Sequence, residues 1–174
     1  MKNRFIAYVV SIILFSLCFG DEVAEQDGIN ISGGFGFPEV LNVGLRIQSG
    51  QVQLGISIGS IPIEGEWPLS VSGDLYVHFG GQSEFSIQRL WYGRIGIDYL
   101  RTESDYVLTK HLLLNLRLGK TVNISRKIGI NADLGAVIQL THEEIRKKPP
   151  SGWFNFSFDF PILPSGGIGL FYRI

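Results

Sequence analysis

The groups in this sequence best suited to metal ligation or proton transfer are His78, His111, His142 and the pair Glu143-Glu144. Imidazoles and carboxylates both ligate zinc, and a serine hydrolase needs its nucleophile within hydrogen-bond reach of a base. The strand spacing derived below sets His78 at one strand end and His142 in a loop at the opposite end, so the two do not share a site. His111, next to Lys110, falls near the end of its own strand, and no serine–histidine neighbourhood accompanies it. His142-Glu143-Glu144 reads as solvated charge on an exposed loop. Asp98, Glu103 and Asp105 read as ordinary rim polarity. Gly33-Gly-Phe-Gly36 sits in a strand with no helix after it, which removes the context that phosphate binding requires. The sequence therefore assigns no catalytic, cofactor-binding or metal-ligating residue.

A second set of charges is more regular. Arg46, Arg94, Arg117 and Arg173, and Asp74, Asp98, Asp133 and Asp159, share the polar face of alternating segments with Gly34, Gly36, Gly44, Gly55, Gly59, Gly96, Gly119, Gly135 and Gly169. Lys and Glu fall instead in turns, loops and strand ends. An unpaired charge inside a narrow barrel costs several kcal/mol, so pairing is expected. The planar guanidinium fork can bridge two carboxylates. The expectation is a cross-lumen network that closes the barrel to ions.

Positioning such a network requires strands, and period-2 alternation supplies them. Val40 to Ile47 places Leu41, Val43, Leu45 and Ile47 on one face. Leu112, Leu114, Leu116 and Leu118 repeat the pattern, as does the segment from Ile130 to Leu140. The predicted strands are Gly28–Phe37, Val40–Gln48, Gln51–Gly59, Leu69–Phe79, Phe85–Leu100, Tyr106–Leu118, Ile128–Thr141 and a last one ending at Ile174. The last strand is expected to run from Phe154 through a bulge marked by Pro161 and Pro164, since proline interrupts a ladder. The predicted fold is all-β: a closed antiparallel up-and-down transmembrane β-barrel of eight strands, with ten as the alternative count.

Composition narrows the class. The chain has 174 residues, 16 acidic and 15 basic side chains, and one cysteine. Near-neutral charge excludes an electrostatic nucleic-acid binder, and a lone cysteine excludes a disulfide framework. Residues 1–20 match a secretory signal peptide: Lys2 and Arg4, an apolar run from Phe5 to Phe19, and small Gly20 before Asp21. An uncleaved anchor and acylation at Cys18 are the weaker alternatives. Residues 21–27 form a short leader and 28–174 the barrel. Small residues and balanced charge on the polar face suit an interior about eight strands wide. The aliphatic face then meets lipid, with Trp67, Phe79, Trp91, Tyr99 and Tyr172 as candidates for interfacial aromatic girdles.

The terminal segment Gly169-Leu-Phe-Tyr172-Arg-Ile174 resembles the closing strand of small bacterial outer-membrane β-barrel proteins of the OmpA type. In that class the strand alternates hydrophobic residues, carries an aromatic third from the end and usually ends on an aromatic. Tyr172 matches, while Ile174 stands where phenylalanine is usual. The resemblance implies that Gly169, Tyr172 and Ile174 belong to a recognition signal for the barrel assembly machinery, reached with periplasmic chaperones. It also implies a monomer in the outer membrane, in contact with lipid and lipopolysaccharide. Arg146, Lys147 and Lys148 are candidates for pairing with lipid phosphates. The expected role is structural or surface-interacting and non-enzymatic. A small-solute pore or carrier is the alternative, followed by a lipid-modifying or proteolytic barrel enzyme and a soluble secreted barrel.

Overall fold

The computed structural model describes residues 28–61, 66–104, 106–146 and 161–174. Eight antiparallel strands follow one another: β1 (Gly28–Phe37), β2 (Val40–Ser49), β3 (Val52–Ser60), β4 (Glu66–Gly80), β5 (Trp91–Ser104), β6 (Val107–Asn123), β7 (Ile128–Arg146) and β8 (Ile162–Arg173). Each pairs with the next, and β1 pairs with β8 from Asn30↔Arg173 to Phe37↔Gly166. That last ladder closes the barrel and leaves no free edge along its length, which is how an antiparallel sheet avoids edge-to-edge association.

The wall is uneven in height. Strands β1 to β3 have nine or ten residues each, whereas β5 to β7 have 14, 17 and 19. At the near end, where Gly28 and Arg173 lie, the strands are level. At the far end β5, β6 and β7 rise beyond the tight β1–β2 turn at Pro38-Glu39.

Alternation sorts the side chains as the sequence predicts, but with the usual polarity of a folded protein reversed. Among the described residues, nineteen buried side chains are polar or charged and five are hydrophobic: Tyr76, Tyr92, Leu113, Val137 and Phe171. The outward face carries Val43, Ile56 and Leu134 at 62, 67 and 76% exposure.

Three expectations change. The fifth strand begins at Trp91, not Phe85, because residues 81–90 turn back on themselves. There Ser83 Oγ accepts from Phe85 N–H at 3.2 Å and Ser86 Oγ from Gln88 N–H at 3.1 Å; such local serine turns compete with a ladder. The seventh strand extends to Arg146, so His142 is a strand residue rather than a loop residue. No register shift interrupts β7–β8 at Pro164, which pairs with Ala136. Pro164 lies past the last β1–β8 pair, where β8 has one neighbour and its missing N–H breaks no ladder. The expected strand segment from Phe154, together with Lys147, Lys148 and Asp159, lies outside the described residues.

Candidate functional site

The interior polar side chains form two connected layers. In the far half, Arg94 on β5 grips Asp74 on β4 with both arms of its fork, Nε to Oδ1 at 2.8 Å and Nη2 to Oδ2 at 2.9 Å. It also pairs with Glu39 Oε1 and lies 3.6 Å from Asp133 Oδ2. Arg117 on β6 bridges Asp133 Oδ1 at 2.9 Å and Glu39 Oε2 at 2.7 Å, and donates to the Phe37 carbonyl at 2.5 Å. Two guanidiniums and three carboxylates thus form one lattice across the lumen, the kind of bridging that the fork geometry favours.

Glu39 is the member that sequence reasoning missed. It is half of the two-residue connection Pro38-Glu39 between β1 and β2, a setting that ordinarily faces water. Instead the turn folds into the far mouth, leaving Glu39 2% exposed and Pro38 fully buried. Val40 follows at φ +54°, a left-handed conformation costly for a β-branched residue. The strained backbone is what swings Glu39 inward. The available signal was the brevity of β1 and β2, which puts their turn level with the interior charges.

The other predicted charges fall out differently. Asp98 is fully buried on β5 but, among the described residues, meets no arginine within ion-pair distance; Asn115 Nδ2 donates to its Oδ2 at 3.2 Å, and its Oδ1 has no partner among them. Asn115 in turn receives Arg117 Nε at 2.9 Å, so Asp98 joins the lattice through an amide. Arg46 makes no ion pair among the described residues and stacks over the Tyr76 ring at 4.6 Å. Such a cation–π contact is worth about 0.5–2 kcal/mol, more when desolvated. Arg173 lies in the near half, donating to Asn123 Oδ1 at 2.6 Å, the Arg126 carbonyl at 3.1 Å and Gln88 Oε1 at 3.4 Å. The expectation of direct Arg–Asp pairing is therefore corrected for Arg46, Asp98 and Arg173. Their positions along β2, β5 and β8 separate them from partners of opposite sign.

The near half is otherwise neutral. Gln88, from the turned segment 81–90, enters the near mouth and is 2% exposed. Its Nε2 lies 2.8 Å from His78 Nε2, while His78 Nδ1 lies 2.7 Å from the Arg89 carbonyl. Gln53 donates to Gln48 at 3.1 Å across β2 and β3. Between the layers Tyr92 donates from its hydroxyl to Asp133 Oδ2 at 3.1 Å. Its ring lies over Gly119, where any Cβ would overlap it; a glycine on β6 is what admits the tyrosine. In the far half, the cavity bounded by Glu39, Arg46, Asp74, Arg94, Arg117 and Asp133 is about 30 Å³, room for about two water molecules.

Of the histidines, His78 stands apart at the near end, whereas His111 and His142 are direct cross-strand partners on β6 and β7. The expectation that His142 sits alone in a loop is thus replaced. Among the described residues, no group of three or more His, Cys, Asp and Glu side chains is arranged to hold a metal ion. Tyr172 and Ile174 lie at the near end, Tyr172 pairing with both Ile31 and Ile128, whereas Gly169 sits further along β8, paired with both Gly34 and Asn131. The Ile174 N–H donates to the Ile29 carbonyl at 2.9 Å. Arg146 is the last residue of β7.

No protein-family model matches the chain, and no curated protein is significantly similar to it.

Proposed function

We propose that the protein is an integral outer-membrane β-barrel with a structural or surface-interaction role, its lumen closed by paired charges. The observation that carries this reading is the reversed polarity, with ionised and amide side chains inside and aliphatic ones outside. Every exposed apolar Å² costs about 25 cal/mol in water, and a contiguous exposed apolar surface of this kind marks a membrane or partner face. The outward aromatics fall at two levels. Trp67 and Tyr99 lie toward the far end, and Phe79, Trp91 and Tyr172 toward the near end. From Trp91 to Tyr99 on β5, and from Trp67 to Phe79 on β4, a tilted strand rises about 20–30 Å. That brackets the roughly 25 Å apolar band of outer-membrane barrels. Lys120 and Lys127 sit over the Trp91 and Tyr172 rings at 5.3 and 5.8 Å, as expected at a wet interface.

In this reading residues 1–20 direct export, and Gly169, Tyr172 and Ile174 form the signal read by the assembly machinery. Arg146, Lys147 and Lys148 meet lipopolysaccharide phosphates. The small cavity favours a closed barrel over a solute pore. The deciding experiment is envelope fractionation followed by gel electrophoresis with and without boiling. The expected result is detergent-dependent solubility and a mobility shift on heating. A protein that stays soluble and unshifted without detergent overturns the reading. Deleting Gly169–Ile174 should strand the chain before insertion.

A further inference from the structure

The β6–β7 ladder contains one irregularity. Leu113 pairs with Gln139, but Leu112 pairs with Thr141, so β7 carries an extra residue at Leu140. Below it, β7 turns its odd-numbered residues inward, among them the buried Asn131, Asp133 and Val137. Above it the parity reverses, and His142 comes to the same face as its register partner His111. Bulges commonly re-aim a side chain in this way. Were Leu140 taken into the ladder instead of being left unpaired, the imidazole of His142 would point to the opposite face.

The two rings lie 4.7 Å apart, tilted by 35°, with Nδ1 facing Nδ1 at 3.3 Å. Zinc–nitrogen bonds of 2.0–2.1 Å meeting at a tetrahedral angle separate the two nitrogens by about 3.3 Å. The pair is therefore already at the bite of a chelate. Glu144 follows His142 along the same face, opposite Thr109. His142 is exposed, which gives an ion a route in.

We infer that His111 and His142 form a bidentate site for a divalent transition-metal ion on the β6–β7 extension, beyond the closed part of the lumen. Imidazole ligands suit zinc, copper and nickel rather than magnesium or calcium. With two protein ligands, the remaining coordination positions are taken by water or by a ligand from outside the chain.

The test uses the untagged full-length protein, folded in detergent and titrated with ZnCl2 and NiCl2 by calorimetry, with the imidazole NMR signals followed in parallel. One-to-one saturable binding that perturbs the His111 and His142 rings is expected. His111→Ala and His142→Ala should each weaken it about tenfold or more, the scale on which losing even an outer-shell partner acts. Heat-modifiability verifies folding of each variant, and should His142→Ala fail to fold, His142→Asn decides in its place. Absence of saturable binding, or binding unchanged in either histidine variant, overturns the inference.

Discussion

The two halves of the lumen are closed by different chemistry. The far half holds Glu39, Asp74, Arg94, Arg117 and Asp133 in one ionic lattice, whereas the near half is sealed by Gln48, Gln53, His78, Gln88 and a single arginine, Arg173. Each mouth is stopped by an inturned connection: the β1–β2 turn delivers Glu39, and the segment 81–90 delivers Gln88. The contrast teaches where failure is expensive. A broken buried ion pair leaves a charge without solvent or partner, while a broken neutral hydrogen bond leaves only a dipole.

The largest effect should follow from Arg117→Met, which removes one of the two guanidiniums that Glu39 and Asp133 share and leaves only Arg94 beside them among the described residues. A loss of about 3–5 kcal/mol is expected, read as a lowered urea midpoint of the barrel in detergent. A loss under about 1 kcal/mol would mean that water replaces the cation and that the halves do not differ. The outer face gives a reference on which the halves should agree. Ile56→Arg should cost about 2–4 kcal/mol in lipid vesicles wherever the apolar band is crossed, and a neutral result there would remove the lipid-facing assignment.

Smaller effects separate the two stoppers. Glu39→Ala should destabilise by about 1–3 kcal/mol and Gln88→Ala by about 1 kcal/mol. Each alone should stay silent in planar-bilayer recordings, because the other mouth remains shut, whereas the double variant should conduct. A large, stable wild-type conductance would instead promote the solute-pore alternative, and a conducting Arg94→Ala would show that the far lattice alone is the seal. The smallest change is expected on the extension. Lys110→Ala removes an exposed 3.4 Å pair with Glu143 and should shift stability by no more than about 0.5 kcal/mol.

Most of the barrel was legible because period-2 alternation is unbroken where both faces are specified. The limits of β1, Gly28 to Phe37, agree with the sequence reading at both ends. The reading failed where backbone polar groups found partners other than a neighbouring strand. Ser83 and Ser86 diverted 81–90 into turns, although Phe85 and Ile87 alternate as a strand would. Arg94, Arg117, Asp74 and Asp133 were recognisable from their type and parity. Glu39 was not, since nothing local distinguishes a turn that folds inward from one that faces solvent. His142 was misplaced because the seventh strand was expected to end at Thr141, and the charged run that follows carries no mark that the ladder continues to Arg146. Asp98 was assigned correctly to the interior, but its amide partner depends on register across strands, which a single sequence leaves open.

The far lattice also dictates an order of events in time. Its bonds join residues far apart in the chain: 55 between Arg94 and Glu39, 78 between Arg117 and Glu39, and 80 between Arg117 and the Phe37 carbonyl. The first hairpin thus emerges carrying an anion whose countercharges arrive only with the fifth and sixth strands. Until then Glu39 keeps its hydration, and the nascent sheet stays open enough to supply it. Dehydration of the interior belongs to the late, long-range stage of assembly that loop-closure entropy makes slow. Substitutions in the lattice should accordingly quicken unfolding while leaving the rate of folding nearly unchanged, the behaviour of contacts that form after the transition state. The finished barrel would owe its persistence to how slowly it opens.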